Sequence, residues 1–109
     1  MSITILTSNT FDSEVAGSDI PVLVVFRAEW SKPCRYLEPV MEQIAHDYQG
    51  KLKVGKVDAD QSPELAERFI VESVPTLILF VDDEEVERIV GAVTREKIEE
   101  MLLNRLGEG

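Results

Sequence analysis

The chain is expected to fold as one α/β domain over residues 1–109, with a mixed central sheet of about five strands flanked by about four helices. Three observations predict this. The runs Val22–Phe26 and Thr76–Val81 are apolar at almost every position, which suits strands covered on both faces. Leu37, Val40, Met41, Ile44, Ala45 and Tyr48 recur at intervals of three and four, the signature of one helix face. Strand-like and helix-like stretches alternate as β-α-β-α-β-α and close with β-β-α. Right-handed crossovers would then make parallel neighbours, and the last pair would add antiparallel ones. The length suits a single core rather than two.

In chain order, Ile3 to Leu6 is short and β-prone, an expected edge strand. Ser8 or Asn9 is placed to cap a short helix with Phe11 and Val15 on one face, ended by Gly17-Ser18-Asp19. Pro21 leads into the central strand Val22–Phe26. A turn at Trp30–Cys34 opens a long helix to about Gln49, with Pro39 inside it as an expected kink and Gly50 as its C-cap. Leu52 to Val57 reads as a second core strand and Asp58–Gln61 as a loop. Ser62-Pro63-Glu64 starts a helix through a cap, a proline in the first turn and an acid favoured by the dipole, and Leu65, Ala66 and Phe69 form its buried face. Asp82-Asp83 turns Thr76–Val81 into Glu85–Val90 without the usual glycine. Gly91 breaks the strand. Thr94 caps a final helix with Ile98, Met101, Leu102 and Leu106 inward and Arg95, Glu96, Glu99 and Glu100 outward. The tail Gly107–Gly109 is expected to be mobile.

Charge and composition narrow the function. The formal net charge is −10, and an acidic surface repels phosphate backbones and anionic lipid, so nucleic-acid and membrane-surface roles are not expected. No basic and apolar leader stands at the N-terminus, and the apolar runs are far short of the ~20 residues of a membrane span, so the cytoplasm is the expected compartment. A single cysteine forbids a disulfide within these residues, a two-cysteine redox cycle and a cysteine-rich metal site, and no cofactor or metal is expected.

Chemistry concentrates at Trp30-Ser31-Lys32-Pro33-Cys34, between the central strand and the long helix. The helix start would place backbone N–H groups and the positive end of a dipole beside Cys34. Pro33 suits the first turn, where its missing donor leaves nothing unpaired. This segment, with Phe26-Arg27-Ala28-Glu29 before it, resembles the active-site segment of the thioredoxin family, which reads Trp-Cys-x-Pro-Cys. Lys56-Val57-Asp58-Ala59-Asp60, Val74-Pro75-Thr76 and Val90-Gly91-Ala92 fall where that family has its matching segments, so the resemblance covers nearly the whole chain and implies a thioredoxin-like fold.

The resemblance also marks three departures. It maps the family's attacking cysteine onto Ser31 and the resolving cysteine onto Cys34. Thiol–disulfide exchange needs an attacking thiolate and then a resolving thiol. A serine hydroxyl would need a general base, and the one histidine, His46, lies roughly four turns further along the helix. The buried aspartate of the family corresponds to Val25, which carries no proton. Lys56 thereby loses its family partner, leaving Glu29, Asp58 or solvent to satisfy it. Arg27 stands where an aromatic is usual. Together the three suggest relaxed redox pressure on the site.

Ser31 reads either as the position of the missing nucleophile or as a helix cap accepting the Cys34 N–H. Cys34 reads either as a buried inert thiol or as a single reactive one, its thiolate favoured by the helix start, Lys32 and Arg35. The resemblance further implies a partner-binding surface of Trp30, Lys32, Pro33, Val74, Pro75, Gly91 and Ala92, with a cis bond before Pro75 and backbone groups free to pair with an extended peptide. Three functions are open. One is a thioredoxin-like protein without dithiol reductase activity that binds protein or peptide partners through the Trp30/Pro75/Gly91 groove. Another is a monothiol enzyme in which Cys34 forms mixed disulfides with glutathione or a partner, or reduces peroxide. The third is a thioredoxin disulfide reductase whose first active-site cysteine is replaced by Ser31.

Overall fold

At the centre of the molecule lies β2 (Val22–Arg27), whose first five residues are buried. The structure, a computed structural model, describes residues 3–91 and 93–106; the expectations for Ala92 and for Gly107–Gly109 lie outside them. Beside β2 on one side runs β3 (Lys53–Asp58), parallel to it, and then β1 (Ile3–Leu6), parallel to β3. On the other side come β4 (Thr76–Val81) and β5 (Glu84–Val90), each antiparallel to its neighbour, so the sheet order is β1-β3-β2-β4-β5. Four helices complete the fold: α1 (Phe11–Ala16), α2 (Lys32–Asp47), α3 (Pro63–Arg68) and α4 (Arg95–Leu106). This is the thioredoxin-like α/β architecture the sequence predicts, a five-stranded mixed sheet with four helices.

Alternation along the strands divides the core in two. Leu23 and Val25 of β2 and Leu77 and Leu79 of β4 face α2 and α4, against Leu37, Met41, Ile44, Ile98 and Leu102. Val24, Phe26, Ile78 and Phe80 face α1 and α3, against Phe11, Val15 and Leu65. Gly55 of β3 has a packing reason, because a Cβ there would meet the Leu6 side chain at 2.5 Å.

The β4–β5 turn dispenses with glycine because Asp82 and Asp83 both take positive φ, 53° and 67°, as a type I′ turn requires and as aspartate tolerates. Further along, Leu79 pairs with Glu87 but Phe80 with Glu85, so Val86 is the extra residue of a bulge.

Four local expectations are corrected. Neither Ser8 nor Asn9 caps α1; Thr10 holds the N-cap position without a side-chain cap bond, and the Ser8 hydroxyl instead donates to Glu64 Oε1 of α3 (3.0 Å). Ser62 precedes α3 but makes no side-chain cap bond either, its backbone lying off the extended region. α2 runs through Pro39 and ends at Asp47 with Tyr48 as C-cap, so Gly50, at φ +86°, serves the turn beyond the helix rather than its cap. In α4, Thr94 Oγ1 does accept the Lys97 N–H (3.2 Å), but Arg95 and Glu99 are half-buried rather than fully outward. They join α4 to the end of α2, Arg95 reaching Asp47 at 2.7 Å and Tyr48 donating to Glu99 at 3.2 Å.

Candidate functional site

β2 ends at Arg27, and its partner β3 ends opposite it at Asp58, so two chain segments leave the sheet side by side. The Ala59 N–H donates to the Arg27 carbonyl (2.8 Å), which ties them together. The first segment turns at Ala28–Ser31 and enters α2. Ser31 has extended backbone, φ −87° and ψ 116°, and its hydroxyl oxygen accepts the Cys34 N–H at 3.3 Å, which is N-cap geometry. Ser31 and Cys34 are each only 4% exposed. Lys32 and Pro33 between them are exposed.

Behind Cys34 is a cavity of about 10 Å³, room for a single water, lined by Val25, Arg27, Leu37, Glu38 and Lys56. Val25 stands opposite Lys56 in the β2–β3 register, so both side chains share the α2 face of the sheet. Lys56 pairs there with Glu38 Oε2 at 3.1 Å. This corrects the expected partners Glu29 and Asp58, and the reason is Arg27. Its guanidinium lies 3.6 Å from Glu29 and 3.5 Å from Asp58 and engages both carboxylates. Glu38 follows Cys34 by four residues and therefore sits on the same helix face, one turn further. His46 is exposed in the last turn of α2, away from Ser31.

The exposed rim is built by two loops. In the loop after β3, Asp58 Oδ1 accepts the Asp60 N–H (2.9 Å) and the Gln61 N–H (3.1 Å), an Asx turn. The turn presents Asp60 to Trp30, whose indole Nε1–H donates to Asp60 Oδ2 at 2.9 Å. Trp30 thus has a fixed tip while 69% of its surface faces solvent. In the loop before β4 the Val74–Pro75 peptide is cis, Pro75 is buried and Val74 half-buried. The Pro75 carbonyl accepts the Gly91 N–H (2.8 Å), and Gly91 takes φ +98°. Among the described residues the Val74 backbone makes no hydrogen bond.

Arg88 of β5 secures the start of that loop. Its guanidinium donates to the carbonyls of Phe69 (2.7 Å) and Ile70 (3.1 Å), satisfying acceptors at the end of α3. Glu85 grips the same guanidinium at 2.7 and 2.8 Å, and the bond to Arg88 holds the Glu85 carboxyl below its ordinary range. Ile70 itself is 70% exposed at φ 54°, an uncommon conformation for a β-branched residue.

The structure therefore brings Trp30, Ser31, Lys32, Pro33 and Cys34 together at one helix start and joins Pro75 to Gly91 through a backbone bond. Asp60 and Arg88 escaped sequence reasoning. Asp60 had a signal in the Asp58-x-Asp60 spacing of an Asx turn, whereas Arg88, acting on backbone carbonyls far away in the chain, had none. Among the described residues no group of three or more His, Cys, Asp or Glu could hold a metal ion, and no helix is long and apolar enough to cross a membrane.

Comparison with known proteins agrees with this geometry. The family model described as Thioredoxin matches residues 2–104. Thioredoxin 1 of Nostoc sp. (strain PCC 7120 / SAG 25.82 / UTEX 2576) is 43% identical over 101 residues, covering 93% of this chain and 94% of its own. The thioredoxin of Porphyra purpurea is 39% identical over 102 residues, covering 94% and 95%. Thioredoxin M4, chloroplastic, of Arabidopsis thaliana is 42% identical over 97 residues, covering 89% of this chain and 50% of its own length.

Proposed function

The chain belongs to the thioredoxin family, and from that premise we propose that it is a member without a dithiol reductase cycle, which binds an extended stretch of a partner protein in the groove of Trp30, Val74, Pro75 and Gly91. The observation that carries this reading is the contrast within one turn of chain: Ser31 and Cys34 are buried and bonded to each other, while Trp30 beside them is 69% exposed. Exchange needs two thiols in succession, and these residues hold one. The Ser31 oxygen is engaged as a cap, and no histidine stands near it to act as a base. The Val74 backbone, without a hydrogen bond among the described residues, offers a donor and an acceptor to an added strand, and Trp30 supplies apolar area to the same surface. On this reading Cys34 is a packing residue, and the protein works in the cytoplasm, where a lone thiol stays reduced.

Insulin reduction with a dithiol donor, run beside peptide binding, tests the proposal. The expected result is no acceleration of reduction, together with binding of an apolar extended peptide that is equal in the native chain and in Cys34→Ser. Efficient reduction would overturn it. So would ready alkylation or glutathionylation of Cys34 in the folded protein, which would favour monothiol chemistry, including peroxide reduction. The relatives named thioredoxins favour one further reading, that only the attacking thiol separates this chain from a disulfide reductase. Ser31→Cys would then gain insulin reduction by itself; if it stays silent, Val25 and Arg27 have removed more than the nucleophile.

A further inference from the structure

Two unpaired cations stand beside the groove on a molecule that is acidic as a whole. Lysine and arginine number 11 and aspartate and glutamate 21, so a cation without a carboxylate partner needs a reason. Among the described residues every cation is engaged except Lys32 and Arg35; the others stand in ion pairs, and Lys51 is not free either. Both unpaired cations are exposed and lie three residues apart in the first turn of α2, on one face. They stand at the positive end of the helix dipole, where cations are disfavoured and where α2 has no acid in its first turn. Two exposed aromatics flank them, Trp30 and Tyr36, the latter 72% exposed and four residues after Lys32. Of the nearby acids, Glu29 is paired with Arg27 and Glu38 with Lys56, while Asp60 accepts the neutral Trp30 indole N–H and keeps its charge.

We infer that the partner stretch held by the groove is acidic: an extended polypeptide segment that lays an apolar side chain against Trp30 and sets carboxylates opposite Lys32 and Arg35. This rests on the groove reading above and adds its specificity. An acidic segment is disfavoured by the net charge of the molecule and favoured by the two unpaired cations of this turn, so charge helps to select both the partner and its place. Two cations on a protein of net charge −10 suit a few carboxylates and not a polyphosphate backbone.

The test uses the full chain and dye-labelled synthetic peptides that share one apolar centre and carry aspartate, serine or lysine on both flanks, read by fluorescence anisotropy. At low salt the aspartate peptide is expected to bind roughly three- to tenfold more tightly than the serine peptide, and the lysine peptide most weakly. That advantage should shrink with added salt and reverse in the double variant Lys32→Glu/Arg35→Glu. Equal binding of the aspartate and serine peptides, both lost in Trp30→Ala, overturns the acidic partner and leaves the groove standing. Failure of all three peptides overturns the groove and the inference together. A single-stranded DNA oligonucleotide that binds as tightly as the aspartate peptide also overturns it, because charge alone is then being read.

Discussion

Val25 and Phe26 are neighbours in β2 yet belong to different cores. Phe26 points toward α1 and α3 into a set of interlocked rings: Phe69 lies 5.1 Å from Phe11, 5.3 Å from Phe80 and 6.3 Å from Phe26, all at steep interplanar angles. The Arg68 guanidinium closes the set from outside, 4.8 Å above Phe69. Val25 points toward α2 and α4 into aliphatic and methionine side chains, and there the packing is incomplete. The water-sized cavity, the Lys56–Glu38 pair and Cys34 all lie on that side. One face of the sheet is therefore closed with rings that have a preferred geometry, and the other keeps the space and the polar groups from which a site is made. Because side chains alternate along a strand, a change on one face need not reach the other.

Breaking the aromatic face should have the largest effect. Phe26→Ala is expected to lower stability by about 3–5 kcal/mol in urea unfolding while leaving the alkylation rate of Cys34 in the folded protein unchanged. A parallel rise in alkylation would show that the faces are coupled. Val25→Ala should cost less, roughly 1–3 kcal/mol, yet enlarge the cavity behind Cys34 and speed its alkylation several-fold. A slower Cys34 would mean that access comes only from the front of the turn.

Smaller effects sharpen the comparison at the loop that follows α3. Ile70 follows Phe69, is exposed and has φ 54°, so Ile70→Gly should relieve backbone strain and stabilise by roughly 1 kcal/mol, with Trp30 emission unchanged. Destabilisation would instead place the Ile70 side chain in a contact that matters. Glu85→Gln weakens the grip on Arg88 and should cost less than about 1 kcal/mol at neutral pH. Its sign with pH is defined. The Arg88 bond depresses the Glu85 carboxyl in the folded protein, so its contribution is present above the unfolded value of about 4.3 and is lost as pH falls through the lower folded value. The two unfolding curves should converge as pH falls through that lower folded value; a constant gap would assign the effect to packing.

Much of this could be read from residue order. The spacing of Leu37, Met41 and Ile44 marks the buried face of α2, the unbroken apolar runs mark β2 and β4, and Ser31 before Lys32-Pro33-Cys34 is legible as a cap because a cap depends on residues only three apart. The Ser8 and Ser62 caps failed for a related reason: the side chain was present, but tertiary contacts and backbone shape directed it elsewhere. The site was half legible. Its turn, its exposed tryptophan and its proline loop stand in motifs, whereas the groups that hold them do not.

The sequence by itself determined the order of strands and helices and the presence of one thiol, hence the impossibility of a two-cysteine cycle within these residues; periodicity and composition are local or additive and survive without coordinates. Only the tertiary structure decided that Lys56 answers to Glu38, that Asp60 holds Trp30 across 30 residues, and that Arg88 of β5 fastens the carbonyls of Phe69 and Ile70 at the start of the loop before β4. Those pairings depend on register, crossover and helix placement. They bring residues together that no spacing rule relates, and they leave Lys32 and Arg35 unpaired among the described residues by occupying the acids around them.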